Sequence, residues 1–208
     1  MNVDDEFHRR WYDAHVWTRL RWFGVRIQKN PFDLFQYQEI IAEQRPDYVI
    51  ECGGYLGGST LFFAHLLDLL KHGRVVSVDL DGRWSAEALG HPRVTTVQGN
   101  SVAPDIVATV RRLVPPGASC FVILDSDHTA EHVLAELRAY QEFPRVGNYL
   151  IVEDGNINGH PVLPGWGPGP YEAVQAFLRE NSRFIPDTER ETKMRFTFAT
   201  GGWLRRVA

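Results

Sequence analysis

Two short stretches hold most of the groups able to do chemistry. One is Leu124-Asp125-Ser126-Asp127-His128, the other Ile151-Val152-Glu153-Asp154. Each closes an apolar run, Phe121-Val122-Ile123-Leu124 or Tyr149-Leu150-Ile151-Val152, that reads as a buried strand. In an open parallel sheet, ligands bind just beyond the carboxyl ends of the strands. If the two strands are neighbours, four carboxylates and an imidazole meet in one crevice. Carboxylates crowded in this way repel one another, so the arrangement calls for a cation. Oxygen-rich ligation favours Mg2+, Mn2+ or Ca2+ over zinc. One such stretch alone would read as a solvated strand end; two together point to a site.

A third stretch supplies a turn. Tyr48-Val49-Ile50-Glu51-Cys52 runs into Gly53-Gly54-Tyr55-Leu56-Gly57-Gly58-Ser59-Thr60. Glycines let the backbone bend sharply and approach a ligand closely. The Gly-x-Gly-x-x-Gly spacing of a dinucleotide site is absent. An acid just before the turn would also repel phosphate. Glu51 suits a ligand with a cationic end, such as the amino and sulfonium groups of S-adenosylmethionine. Asp79 closes the run Val75-Val76-Ser77-Val78, where an acid accepts hydrogen bonds from ribose hydroxyls. Asn100 and Ser101, after Val94-Thr95-Thr96-Val97, are expected near the adenine or ribose, and Tyr37 and Gln38 near the cofactor from the N-terminal side.

These stretches need a scaffold. A short helix is predicted over Phe35 to Gln44. Another runs from Ser59 to Lys71, with Ser59 or Thr60 as N-cap and Gly73 as terminator. Further helices are expected over Val102–Leu113, from Thr129 to Phe143, and over Tyr171–Glu180. Arg183-Phe184-Ile185 and Arg195 to Arg205 read as closing strands. This alternation predicts a doubly wound, mostly parallel α/β sheet of seven strands, with one of the last two antiparallel. Residues 1–30 read as an N-terminal amphipathic helical arm, and 31–208 as the main domain. The segment 156–170, rich in Gly and Pro, reads as a binding loop or lid, with Trp166 a candidate acceptor wall.

The totals exclude several classes. A chain of 208 residues can bury one good core, and its 44% hydrophobic and 23% charged content is that of a globular protein. A net charge of -4 gives no general attraction to nucleic acid or anionic membrane. No apolar stretch is long enough to span a bilayer. Cys52 and Cys120 are expected as buried, reduced thiols of a cytoplasmic protein.

Taken together, Glu51-x-Gly53-x-x-x-Gly57-Gly58-Ser59, Leu124-Asp-Ser-Asp-His128, Val152-Glu-Asp-x-x-Ile-Asn-Gly159 and Gly167-Pro-Gly-Pro170 resemble the cephalosporin hydroxylase (CmcI-type) family. Lys29-x-Pro31-x-Asp33-Leu-x-x-Tyr37-Gln38-Glu39 fits as well. The resemblance covers roughly residues 16 to 207. It implies the Rossmann-like class I fold of S-adenosylmethionine-dependent methyltransferases and a likeness to Mg2+-dependent sugar O-methyltransferases of natural products. Matched residue by residue, it implies metal ligands Asp125, Glu153 and Asp154, with His128 as the base. It also implies that Glu51, Gly53, Ser59, Asp79 and Ser101 surround the cofactor. Gly99-Asn100-Ser101 departs from the family's frequent Gly-Asp-Ser by one charge. The expected reaction is O-methylation of a small hydroxylated acceptor, such as a vicinal diol or sugar, by a homo-oligomer that binds S-adenosylmethionine and Mg2+ (or Mn2+). Three readings compete. A non-haem metal oxygenase would want two histidines beside the acids and only His128 is there. A non-catalytic cofactor-binding partner subunit would not need the acids and His128 intact. An NAD-dependent dehydrogenase is disfavoured by the glycine spacing.

Overall fold

A computed structural model describes residues 3–208; Met1 and Asn2 of the predicted arm lie outside the described residues. In chain order the elements are α1 (Val3–Asp13), a 3-10 turn (Trp17–Arg19), β1 (Arg21–Trp22), β2 (Val25–Arg26), α2 (Pro31–Gln44), β3 (Tyr48–Cys52) and α3 (Gly58–Leu70). Then come β4 (Arg74–Asp79), α4 (Ala86–Leu89), β5 (Val94–Gln98), α5 (Pro104–Leu113), β6 (Cys120–Leu124), α6 (Ala130–Tyr140) and β7 (Tyr149–Val152). The chain ends with α7 (Pro170–Glu180), β8 (Phe184–Pro186), α8 (Thr188–Lys193) and β9 (Trp203–Arg206).

Seven strands form one sheet in the order β5-β4-β3-β6-β7-β9-β8. β3 to β7 are mutually parallel, and β9 inserts antiparallel between β7 and β8. The strand order reverses between β3 and β6. That reversal opens a crevice beyond their carboxyl ends, where α/β sheets bind ligands. The side-chain alternation of β6 feeds both faces. Cys120, Val122 and Leu124 pack toward α5, α6 and α7, and Phe121 and Ile123 toward α2 and α3. A third, smaller cluster joins Tyr12 of α1 to Ile157, Val162, Phe196 and Phe198. Cys52 and Cys120 are buried free thiols. Among the described residues, no helix is long and apolar enough to cross a membrane.

Several boundaries differ from the sequence reading, each for a local reason. The N-cap of α3 is Gly57 rather than Ser59 or Thr60, with a left-handed φ of 86° that carries the chain into the helix. The same helix stops at Leu70 because its C-cap is Lys71, which already takes the left-handed conformation at φ 54°, two residues before Gly73. α5 begins at Pro104, whose ring suits a first helical position. The stretch expected as a strand from Arg195 forms one only over Trp203–Arg206. Its upstream Phe196 and Phe198 alternate because they pack under α1, where Phe7 and Trp11 meet the Phe196 ring. The β1–β2 hairpin, α4 and α8 carried too few residues to show a periodicity.

Trp203 anchors the antiparallel insertion. It is fully buried, its indole Nε1 donates to Thr197 Oγ1 at 3.2 Å, and its ring meets Tyr37 at 5.4 Å. Trp203→Ala is expected to cost about 3–5 kcal/mol of unfolding free energy, read from urea denaturation; a loss below about 1 kcal/mol would contradict this packing role.

Candidate active site

The ladder hydrogen bonds continue one residue past three strands and set the floor of the crevice. Gly53 N donates to Val78 O at 2.8 Å, Asp125 N to Cys52 O at 2.8 Å and Glu153 N to Leu124 O at 3.0 Å. Gly53, Asp125 and Glu153 therefore stand side by side. No larger residue fits at Gly53: a Cβ there would lie 1.8 Å from the Asp125 carbonyl oxygen, and its φ is +96°. Asp154 follows at φ 54°, an uncommon conformation for aspartate that aims its carboxylate at His128. His128 Nε2 lies 3.2 Å from Asp154 Oδ2 and 3.6 Å from Asp125 Oδ1. One ligand atom each from Asp125, His128 and Asp154 falls within 4.8 Å of the others, a spacing that fits a metal ion.

The crevice belongs to a cavity of about 660 Å³ with three zones. The first is lined by Gly53, Gly54, Tyr55 and Ser59 of the turn, by Asp79 at the end of β4 and Leu80 after it, and by Asn100 and Ser101 beyond β5. Asp125, His128, Glu153 and Asp154 form the middle. Tyr12, Trp17, Ile157, Leu163, Trp166 and Phe198 form the far, largely aromatic end.

In the first zone Asp79 accepts from Tyr55 N at 2.7 Å and from the N–H groups of Asp81 and Gly82 at 2.9 and 3.1 Å. The nearby Arg83 pairs with Asp81 at 2.8 Å. That wall repels phosphate and suits a ribose. Glu51 is fully buried and does not line the cavity. It lies behind the turn, where its Oε2 accepts from Ser77 Oγ at 2.9 Å and from Thr60, while its Oε1 has no hydrogen-bond partner. An unpartnered buried carboxylate oxygen behind a glycine turn fits a ligand with a cationic end. Gly57 also sits behind the wall, with its missing Cβ making room for Ala88.

The remaining candidates have other surroundings. Tyr37 is fully buried and does not reach the cavity; its hydroxyl donates to Glu153 Oε1 at 3.0 Å. Gln38 does not line the cavity either. Asp127 accepts from Thr129 N and Oγ1 at 2.8 and 2.6 Å and so supports the start of α6. Segment 156–170 is tied down: Asn158 bonds Glu172 at 3.1 Å and accepts from Gly167 N at 3.1 Å. Trp166, 53% exposed, stands at the cavity rim.

Two groups were missed in the sequence. Lys29, 1% exposed, forms ion pairs with Asp125 Oδ2 and, at 2.7 Å, with Glu153 Oε1. Its sequence signal was its place in the Lys29-x-Pro31-x-Asp33 match. Glu136, fully buried on α6, accepts from Ser126 Oγ at 2.7 Å and also from Ser101, and so fixes two hydroxyls lining the first zone. Nothing in the α6 periodicity marked it.

The charges are coupled. Burial works against ionised Asp125, but Lys29 and then His128 outweigh it and hold the carboxyl below the usual range. Burial raises Glu153 and Asp154, and Lys29 and His128 only partly offset this. Burial alone would lower His128; the charges of Asp154 and Asp125 reverse that and raise it to about 9.

A sheet reversing between β3 and β6, with strand-end acids and a glycine turn at the reversal, defines a doubly wound α/β protein with its ligand crevice at that reversal. The family model for Rhamnosyl O-methyltransferase/CmcI matches residues 14–207, and the chain belongs to that family of O-methyltransferases. It is 42% identical over 209 residues to the rhamnosyl O-methyltransferase of Mycobacterium leprae (strain TN), covering 99% of this chain and 91% of that relative. Identity to the rhamnosyl O-methyltransferase of Mycobacterium tuberculosis (strain H37Rv) is also 42%, over 213 residues, 98% of this chain and 85% of the relative. Among solved structures, CmcI with Mg and SAM shares the fold at TM-score 0.70 and 24% identity, covering 92% of this chain and 78% of that one. MycE, a methyltransferase of mycinamycin biosynthesis crystallised with Mg, SAH and mycinamycin VI, aligns at TM-score 0.51 and 19% identity, over 71% of this chain and 39% of that one.

The shifts set a pH dependence. His128 binds its proton more tightly folded, at about 9, than unfolded, at about 6.5. Its stabilisation is complete below about pH 6.5 and lost as pH rises through 9. Raised Glu153 and Asp154 act with the same sign, since the folded state again holds the extra proton. With divalent ions chelated, the melting temperature should therefore fall between about pH 6 and pH 9. A flat or rising profile over that range would contradict the charge arrangement.

Proposed function

We propose that this enzyme transfers the methyl group of S-adenosylmethionine to a sugar hydroxyl, on a rhamnosyl-type acceptor with an apolar aglycone, assisted by Mg2+ or Mn2+. The observation that carries this reading is the position of Asp125, His128 and Asp154 between a polar, ribose-compatible zone and an aromatic one. The rhamnosyl class comes from the two mycobacterial relatives. The far end supports it: a sugar's C–H face and an apolar aglycone suit Trp17, Trp166 and Leu163 better than a charged substrate would.

Asp125 and Asp154 would hold the metal, with Glu153 as the third carboxylate beside them. When bound, the divalent ion supplies Lewis acidity to an acceptor oxygen and positive charge that disfavours a proton on His128, and S-adenosylmethionine supplies the methyl group. Between its two carboxylates alone, His128 keeps its proton to about pH 9 and is a poor base at neutrality. Once neutral, its Nε2 can take the acceptor's hydroxyl proton. Asp154 and Asp125, which both lie on the Nε2 side, then stabilise the imidazolium that forms. Burial raises the Glu51 carboxyl behind the glycine turn, and a cationic donor end in front of that turn would favour its ionised form, while Asp79, Asn100 and Ser101 offer polar atoms to the adenosine. Trp166 and Leu163 would offer apolar contact to the acceptor at the cavity rim, and much of the rate comes from alignment of the two reactants.

The test is incubation with S-adenosylmethionine and an aryl or lipid rhamnoside. The expected product carries one added methyl group, its formation stops with EDTA and returns with Mg2+. His128→Ala should lower kcat/KM by about 10²–10⁴-fold while S-adenosylhomocysteine affinity is retained. Unchanged turnover would remove His128 as base, and an EDTA-insensitive enzyme would remove the metal. Trp166→Ala should raise the acceptor KM by about tenfold with little change in donor KM; equal shifts in both would place the acceptor elsewhere.

A further inference from the structure

Lys29 precedes Asn30, the N-cap of α2, whose side chain accepts from Phe32 N at 3.1 Å. A cation at a helix N-terminus gains nothing from that helix's dipole. Gln28, just before it, takes φ 48°, so the turn that delivers Lys29 inward uses an uncommon conformation. The ammonium is buried at 1% exposure, a costly placement unless it is fully paired. These features do not serve α2; they serve the two carboxylates that Lys29 reaches.

We propose that Lys29 is a built-in cation that positions Asp125 and Glu153, engaging one oxygen of each so that the other is left for the divalent ion of the crevice. This rests on the metal-assisted reading above. The oxygens divide accordingly. On Asp125, Oδ2 goes to Lys29, while Oδ1 is the atom 3.6 Å from His128 Nε2, on the metal side. On Glu153, Lys29 at 2.7 Å and the Tyr37 hydroxyl at 3.0 Å both converge on Oε1. Two donors on one oxygen fix the carboxylate's rotation and leave Oε2 to the cavity that Glu153 lines. The charge also closes. Three ionised carboxylates, one ammonium and one divalent ion carry no net charge beside a neutral His128. Without Lys29, the same acids would face each other with nothing but the metal between them. Lys29 is therefore a positioning residue, acting on the metal through its ligands.

The experiment compares the full-length wild type with Lys29→Met, which keeps the aliphatic stem and removes the charge, by thermal melting in EDTA and in Mg2+. In EDTA the variant should melt roughly 10 °C below wild type. Mg2+ should raise its melting temperature by more than it raises the wild type's, because the ion takes over the missing charge. Glu153→Gln added to Lys29→Met should restore much of the stability lost in EDTA, since neither side of the pair is then left charged. A purely packing role predicts the same Mg2+ shift in both proteins and no rescue by Glu153→Gln, and that result overturns the proposal. If Lys29→Met fails to fold in EDTA, recovery on refolding with Mg2+, or with the Glu153→Gln change, supports it; recovery by neither overturns it. The two readings fail separately. A wild type without any Mg2+ shift removes the metal from the proposed function, and the EDTA rescue by Glu153→Gln still decides whether Lys29 holds the acids.

Discussion

Like charges at the ends of adjacent strands are the constraint around which this enzyme is built. β6 and β7 are hydrogen-bonded neighbours, so Asp125 and Glu153 must stand next to each other, and Asp154 follows. Three buried or nearly buried carboxylates at that spacing would push the strand ends apart if uncompensated. The compensation comes from other parts of the chain: the Lys29 ammonium from below and the His128 imidazole from the start of α6. The fold thus balances its own crevice to a first approximation, and the residual negative charge favours cations there.

The supports of these acids reach into the core. Tyr37 packs against Phe63, Phe121 and Trp203 and ends on Glu153. Asp33, one turn earlier on α2, accepts from Phe198 N at 2.8 Å and so ties the same helix to the aromatic end. Burial pushes Asp33 up to about 7, against its hydrogen bonds. One helix therefore links Glu153, the aromatic end of the cavity and the sheet, and displacement of α2 would disturb all three together.

Much of this was legible in the chain because it is local. A short apolar run followed by Asp-x-x-His or Glu-Asp is a strand end with its chemistry attached, and the parallel order then brings the ends together without further information. The glycine turn was legible for the same reason, though its cap was not: Gly57 in a left-handed conformation looks, in sequence, like any other glycine before a serine. Lys29 was hidden because its partner Asp125 is 96 residues away, while the nearest acid in the chain, Asp33, is turned to Phe198 N instead. Tyr37 and Gln38 were assigned to the cofactor from their proximity in the motif, whereas the helical turn points Tyr37 into the core. The alternation Phe196-Thr197-Phe198 imitates a strand because α1, not a neighbouring strand, covers one side of it. That misreading is a tertiary override of a period-two pattern.

The cavity's two ends are built from different material. The polar end is made of strand termini and a glycine turn pressed so closely against the carbonyls of Asp125 and Arg26 that no side chain fits at Gly53 or Gly58. The aromatic end is made of α1, the 3-10 turn and the 156–170 loop, contributing Tyr12, Trp17, Leu163 and Trp166, none of them on a strand of the seven-stranded sheet. Divergence can therefore act on one end alone. Residues of the helix and loops can be exchanged without touching the strand ends, so the shape of the far end can change while the sheet and its crevice stay the same.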